Sequence, residues 1–200
     1  MASVIVSNIM SLDGYYEGPG GNVMALNMDE AFDAYNLERI RTASGVLLGR
    51  RSFVGFSAYW PGVAHAPEDP SNRALSADNR ELSRLYDPLP KVVVSDTYRV
   101  PTDNPWYDRT TVVGRGDIRA WVEGARRQQP GDILVYGSRT MWNGLLAQGL
   151  VDELHLMVGP RALAGGTPIF DEPVDVELLD ARRFDGSGNL LLRYAVPSGR

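Results

Sequence analysis

Val46-Leu47-Leu48-Gly49-Arg50-Arg51-Ser52-Phe53 is the segment on which the reading of this chain turns. Three apolar residues run directly into a glycine, two arginines and a hydroxyl. A run this short, with Ser44-Gly45 before it, reads as a strand buried on both faces, Ser44–Gly49. Arg50-Arg51-Ser52-Phe53 then starts a turn and a short helix. The same order returns at Ile133-Leu134-Val135-Tyr136, followed by Gly137-Ser138-Arg139-Thr140 and a helix carrying Met141, Trp142, Leu145 and Leu146. It returns again at Val92-Val93-Val94, followed by Ser95-Asp96-Thr97. In open parallel sheets, ligands sit beyond the carboxyl ends of such strands, where helix N-terminal amides face an anion.

Outward from these junctions the chain keeps alternating. Val4 to Met10 is a strand that enters the turn Ser11-Leu12-Asp13-Gly14. Gly18-Pro19-Gly20-Gly21-Asn22 is a loop. Phe32, Tyr35, Ile40 and Ala43 recur at helical spacing, so Asp29–Thr42 is an amphipathic helix. Trp60 to Pro70, rich in Pro, Gly and Ala, reads as a loop, and Asn72 to Tyr86 as a helix. Thr110 to Val113 is a strand, Ile118 to Gln128 a helix, and Leu150 to Val158 a strand. Val174 to Phe184 and Leu190 to Val196 close the chain as strands joined by Asp185-Gly186-Ser187-Gly188, a hairpin turn. The pattern is an α/β fold: a mostly parallel central sheet flanked by helices, with a C-terminal antiparallel hairpin. No linker or repeat divides it, so the 200 residues read as one domain.

Composition narrows the function. A net charge of −5 with no dense basic block argues against nucleic acid as a partner. With no cysteine there is no disulfide, thiolate metal site or thiol nucleophile. The two histidines, His65 and His155, lie far apart, so no histidine-built metal centre is expected. No apolar run approaches the length of a membrane span, and Met1-Ala2-Ser3-Val4-Ile5-Val6 lacks the basic start of a signal peptide. A cytoplasmic location follows as the expectation.

Each junction has a bland reading as a helix start with solvated side chains. Their convergence on one sheet edge favours an extended, phosphate-bearing ligand over three separate turns. The sequence is not GxGxxG at any of them, so the usual dinucleotide fingerprint is absent.

Val46 to Phe53 resembles the strand–Gly-Arg–basic–hydroxyl–aromatic element of dihydrofolate reductases. Asp132 to Ser138, Leu145-Leu146, Gly149 to Leu154 and Gly165-Gly166-Thr167-Pro168-Ile169-Phe170 are similar to the riboflavin-biosynthesis reductase branch of that superfamily, as is Ser11-Leu12-Asp13-Gly14. The match spans nearly the whole chain in order. It implies an NAD(P)H-dependent reductase, with NADPH as cofactor and 5-amino-6-(5-phosphoribosylamino)uracil as substrate. Gly49, Arg50, Arg51 and Ser52 would hold the 2′-phosphate and pyrophosphate end, Ser95 the adenosine, and Gly137, Ser138, Arg139 and Thr140 the pyrophosphate. Asp96 departs from the basic or hydroxyl residue usual there, so NADH stays open as an alternative. Asp33 is the implied catalytic carboxylate on the first helix, with Asp13 second. Tyr15, Tyr16, Met24 and Trp60 would wall the substrate pocket. Relatives are homodimers, and Leu154–Val158 would contribute to such an interface. A dihydrofolate or pterin reductase is the alternative enzyme, and a non-catalytic nucleotide-binding protein the alternative of another class.

Overall fold

The structure is a computed structural model that describes residues 2–69 and 71–197. Met1, and Pro70 at the end of the expected loop, lie outside the described residues. The chain runs β1 (Val4–Met10), β2 (Tyr15–Glu17), α1 (Glu30–Ile40), β3 (Ala43–Gly49), α2 (Arg50–His65), α3 (Ala77–Tyr86), β4 (Lys91–Val94) and β5 (Thr110–Val113). It continues through α4 (Ile118–Gln128), β6 (Asp132–Tyr136), α5 (Arg139–Leu146), β7 (Glu153–Val158), β8 (Thr167–Pro168), β9 (Glu177–Arg183) and β10 (Leu190–Ala195). Eight strands form one sheet in the order β5-β4-β3-β6-β1-β7-β10-β9, and β2 pairs with β8 apart from it. β5 through β7 in that order are mutually parallel, and β10 runs antiparallel to both β7 and β9. The α/β architecture with its terminal hairpin matches the pattern read from the sequence.

Alternation along the strands builds two core layers. Leu47, Val92, Val94, Val4, Val6, Ile133 and Val135 pack with Ile118 and Val122 of α4 and with Trp142 and Leu145 of α5. Val46, Leu48, Val93, Ile5 and Leu134 face the other way, onto Leu37 of α1, Phe53 of α2, and Leu82 and Tyr86 of α3. Both faces are therefore covered, which is why these strands carry unbroken apolar runs. The helices start where the chemistry allows: Asp29 Oδ1 accepts the amides of Ala31 and Phe32 at 3.1 and 3.2 Å, capping α1.

Several expectations need correction. The segment from Trp60 is not a loop: α2 runs to His65 with Pro61 inside it. Pro61 removes one helical amide bond, but Val63 beyond it is buried, so packing carries the helix onward. The expected helix Asn72–Tyr86 is a 3₁₀ turn, Arg73–Leu75, and then α3, capped by the Ser76 hydroxyl. The ladder of β7 begins at Glu153; Leu150 and Val151 are buried ahead of it. β9 begins at Glu177 and is exposed throughout. Leu154 to Met157 are buried in the single chain between β1 and β10, so their side chains lie within the core layers, while Val158 is partly exposed. His155, also fully buried, is held by the Tyr35 hydroxyl at 2.7 Å and by Glu153 at 2.8 Å, and burial keeps its pKa below the ordinary value. Asp152 accepts from the Val4 amide and pairs with Arg126 within the chain.

Lys91 is buried at the start of β4, at the opposite end of the sheet from the groove described below. Its ammonium donates to the Tyr86 and Asp87 carbonyls at 2.7 and 2.6 Å, closing the C-terminus of α3, and stands 4.2 Å from the Trp106 ring centroid. Burial pulls its pKa down from 10.5 to about 7. Between those values the unfolded chain binds one more proton than the folded one, so this lysine makes stability rise with pH across that window. We expect unfolding free energy to gain about 2 kcal/mol more between pH 7 and pH 9 in the native chain than in Lys91→Met. Urea midpoints at the two pH values check this, and parallel slopes would refute it.

Candidate functional site

β3 and β6 are neighbours, yet the helices that follow them leave to opposite faces. α2 packs with α1 and α3 on one layer, α5 with α4 on the other. Where adjacent strands diverge in this way, a crevice opens beyond their carboxyl ends. A cavity of about 1000 Å³ lies there.

Its outer lobe crosses the strand ends. Gly49, Arg50, Arg51 and Ser52 come from the β3–α2 junction, Ser95 and Thr97 from the end of β4, and Gly137, Ser138, Arg139 and Thr140 from the β6–α5 junction. The three junctions singled out in the sequence thus meet in one groove. Two serines fasten the first to the third: the Gly49 amide donates to Ser138 Oγ at 3.0 Å, and the Ser138 amide to Ser52 Oγ at 2.9 Å. Those two amides are consequently taken and are not free for an anion. Gly137 has φ +55°, and a Cβ there would lie 3.1 Å from Ser52 Oγ and 3.4 Å from the Tyr16 hydroxyl. Only glycine leaves that part of the groove floor open.

The arginines divide into two kinds. Arg139 is committed: its guanidinium donates to the Pro168 carbonyl and pairs with Asp171 at 2.6 Å. Its side chain is therefore held within the protein, although the residue lines the cavity. Arg50 and Arg51, in the first turn of α2, are exposed and have no carboxylate partner among the described residues. Arg50 lies over the Tyr98 ring, 5.4 Å from its centroid. Arg115, after β5, also lines the groove, and its backbone amide donates to Asp96 Oδ1 at 2.8 Å. Its guanidinium stands 3.7 Å from the other oxygen of Asp96.

The inner lobe reaches between β1 and the α1–α3 layer. Phe32, Phe56, Trp60, Leu82, Tyr86 and Tyr136 form its walls, and Ser7, Asn8 and Asn36 its polar floor. Tyr136 donates its hydroxyl to the Asn36 carbonyl at 3.2 Å, and Asn8 donates to the Gly137 carbonyl at 3.3 Å. The Tyr86 hydroxyl is buried with no hydrogen-bond partner among the described residues.

Of the expected substrate-side residues, Trp60 and Tyr16 line the cavity, whereas Tyr15 and Met24 do not. Met24 is 75% exposed, and Val23 takes its place on the wall. Neither expected carboxylate lines it. Asp33 is buried against α3, where it pairs with Arg73 and accepts from Asn79 at 2.9 Å; burial raises its pKa against those partners. Asp13 accepts from Ser11 at 2.6 Å and from the Leu163 and Ala164 amides at 3.0 and 2.7 Å, which tie two loops together and lower its pKa to about 2. Glu17 on β2 is the carboxylate that does line the cavity, and it accepts from the Thr167 hydroxyl at 2.7 Å. Arg115, Asn8, Asn36 and Tyr86 went unread in the sequence. Asn36 carried the one usable signal, lying one helical turn beyond Asp33 and so beside it on the helix surface.

Comparison with known proteins agrees with this architecture. The uncharacterized protein YyaP of Bacillus subtilis (strain 168) is 27% identical over 196 residues, covering 96% of this chain and 93% of that protein. Acinetobacter baumannii RibD superposes with a TM-score of 0.68 at 16% identity, over 98% of this chain and 58% of its own. The Thermotoga maritima diaminohydroxyphosphoribosylaminopyrimidine deaminase/5-amino-6-(5-phosphoribosylamino)uracil reductase gives 0.65 at 12%, over 98% and 57%. This chain therefore spans a little over half the length of those two proteins. A pyrimidine reductase-like protein from Corynebacterium diphtheriae, of which 92% is covered, gives 0.62 at 15% identity. The sequence pattern of the RibD C-terminal domain matches residues 2–188, and to that family the chain belongs.

Proposed function

We propose that the chain is a nicotinamide-dependent reductase that delivers hydride to a polarised C=N or C=O carbon, with NADPH as the cofactor. The observation that carries this reading is the groove onto which three strand ends open, flanked by two guanidinium groups with no carboxylate partner among the described residues and continuing into an aromatic lobe. The residues fit a dinucleotide: a Cβ at Gly137 would fill the cradle, and the start of α2 offers charged forks for phosphate.

Arg50 and Arg51 would hold the 2′-phosphate, and the first turn of α5, at Arg139 and Thr140, would face the pyrophosphate with its backbone. Ser95 would border the adenosine. Asp96 would repel a 2′-phosphate, and the Arg115 amide at 2.8 Å with its guanidinium at 3.7 Å offsets only part of that charge, so NADH stays the alternative cofactor. The cofactor supplies the hydride when bound. The protein's part is to align the acceptor against it and keep water out, which Phe56, Trp60 and Tyr136 do from the walls. The pterin-reductase alternative loses its carboxylate, because Asp33 points into the α1–α3 contact. A cytoplasmic location and a homodimer belong to the proposal; the dimer contact would lie outside the buried stretch 154–157.

Titration of the pure protein with NADPH and NADH, followed by tryptophan fluorescence, tests the reading. We expect Arg50→Ala and Arg51→Ala each to weaken NADPH binding about tenfold and leave NADH within twofold, the difference amounting to about 1.4 kcal/mol per variant. Equal losses for both cofactors would remove the phosphate role, and binding of neither cofactor to the native chain would favour a non-enzyme.

A further inference from the structure

We infer that the paired side chains of Asp96 and Arg115, at the lip of the groove, set the choice between NADPH and NADH, with Asp96 as the specificity-determining residue that holds NADPH back. The inference rests on the reductase reading for placing the adenosine end of a dinucleotide beside β4.

β4 and β5 are parallel neighbours, with Val94 opposite Val113, so the turns that follow them lie side by side. The Ser95 amide donates to the Val113 carbonyl at 2.9 Å, which carries the pairing one residue further. Ser95 and Thr97 from the first turn and Arg115 from the second line the groove. Asp96 stands between Ser95 and Thr97, and its Oδ1 takes the Arg115 amide at 2.8 Å. That bond ties the carboxylate to the backbone of the second turn, whereas the guanidinium, 3.7 Å from Oδ2, is held loosely. Both side chains are open to water, 54% exposed for Asp96 and 79% for Arg115, and an ion pair so open is weak. A ligand phosphate can therefore draw the Arg115 side chain away, but the carboxylate stays where it is.

Charge at this lip is mixed. A Cβ on Gly114 would lie 3.2 Å from Asp117 Oδ2 and 3.5 Å from Asp96 Oδ1, so two carboxylates flank the turn that carries one guanidinium. Arg50 reaches the neighbouring turn from the β3–α2 junction. It lies over the Tyr98 ring, and the Tyr98 amide donates to Ser95 Oγ at 3.1 Å. A 2′-phosphate at this place meets Arg50 and Arg115 together with Asp96 and Asp117, so attraction and repulsion oppose each other. An uncharged 2′-hydroxyl is indifferent to both. Selection of NADPH alone needs no carboxylate here, and its exclusion needs no arginine. With both present, one side chain tips the balance.

Asp96→Asn tests this, because the new amide oxygen can still take the Arg115 N–H and only the charge is lost. Affinities for NADPH and NADH are read by tryptophan fluorescence. Those for adenosine 2′,5′-bisphosphate and adenosine 5′-monophosphate, which differ only in the 2′-phosphate, are read by calorimetry. Asp96→Asn is expected to tighten NADPH and the bisphosphate about fivefold to tenfold, and to leave NADH and the monophosphate within about twofold. The gain should shrink as salt is raised, whereas an effect of altered shape would persist. Glu123→Gln, which removes one charge from α4 outside the cavity, should move none of the four affinities. Equal shifts for all four ligands, or an unchanged ratio of NADPH to NADH affinity, overturn the inference and leave the reductase reading standing. Tightening of the bisphosphate with no binding of either dinucleotide supports the inference and removes that reading. Binding of none of the four overturns both.

Discussion

Gly137→Val is expected to weaken NADPH binding about a hundredfold, a change of about 2.7 kcal/mol, in a protein that still folds. Gly137 follows β6 with φ +55°, a conformation that a β-branched residue resists. The new Cβ would lie 3.1 Å from Ser52 Oγ, 3.4 Å from the Tyr16 hydroxyl and 3.6 Å from Phe56 Cζ. Those three atoms come from α2 and β2, so the substitution fills the floor between the two lobes and presses on the hydroxyl that receives the Ser138 amide. Gly124→Ala on α4 is the control. A Cβ there meets nothing within 4 Å, so affinity should be unchanged and stability should rise by about 0.5–1 kcal/mol. Native-like NADPH affinity in Gly137→Val, read by tryptophan quenching, would sink the placement of the cofactor across this glycine.

The second large effect lies at Gly166. Its φ is +128°, and a Cβ would stand 2.0 Å from the Glu17 carbonyl oxygen and 3.0 Å from the Gly18 Cα. Both atoms are backbone, so no rotamer relieves the overlap. In Gly166→Ala, β8 must part from β2, and the pairing of Tyr15 with Pro168 is lost. A local conflict of this kind costs about 2 kcal/mol, which for a chain of this length lowers Tm by roughly 4–8 °C. Tyr16 and Thr167 would leave the groove wall with it, so NADPH affinity should also fall about tenfold. Hydrogen exchange locates the damage: the Ile169 amide, bonded to the Gly14 carbonyl at 2.8 Å, should lose protection while the β1–β7 ladder keeps it. Uniform loss across the sheet would contradict this local picture.

The central strands were legible because both their faces are buried, which forces continuous apolar runs such as Val92-Val93-Val94 and Ile133-Leu134-Val135. The glycine–hydroxyl junctions were legible for a related reason: a strand must stop somewhere, and the residues at the stop announce a close backbone approach. The length of α2 was hidden because Pro61 and Gly62 look like a loop, and only the packing around Val63 overrides that local preference. β2 and β8, three and two residues long, are too short to show a period.

The carboxylates were misplaced for a different reason. Spacing along a helix says which residues share a face but not what that face meets. Asp33 meets Arg73 and Asn79, which lie 40 and 46 residues downstream. Asp13 meets Leu163 and Ala164, about 150 residues away. A buried ring like that of Tyr86 carries no signal in one dimension, since its surroundings, Trp106 and Tyr136, lie far along the chain.

The crossed bonds between Ser52 and Ser138 have a consequence for how a ligand would arrive. They clamp the roots of α2 and α5 to each other as part of folding, so the freedom lost in shaping the cleft is not lost again on association. Free and filled forms should then superpose there with backbone shifts below about 1 Å, and capture should proceed by simple encounter without a slow closing step.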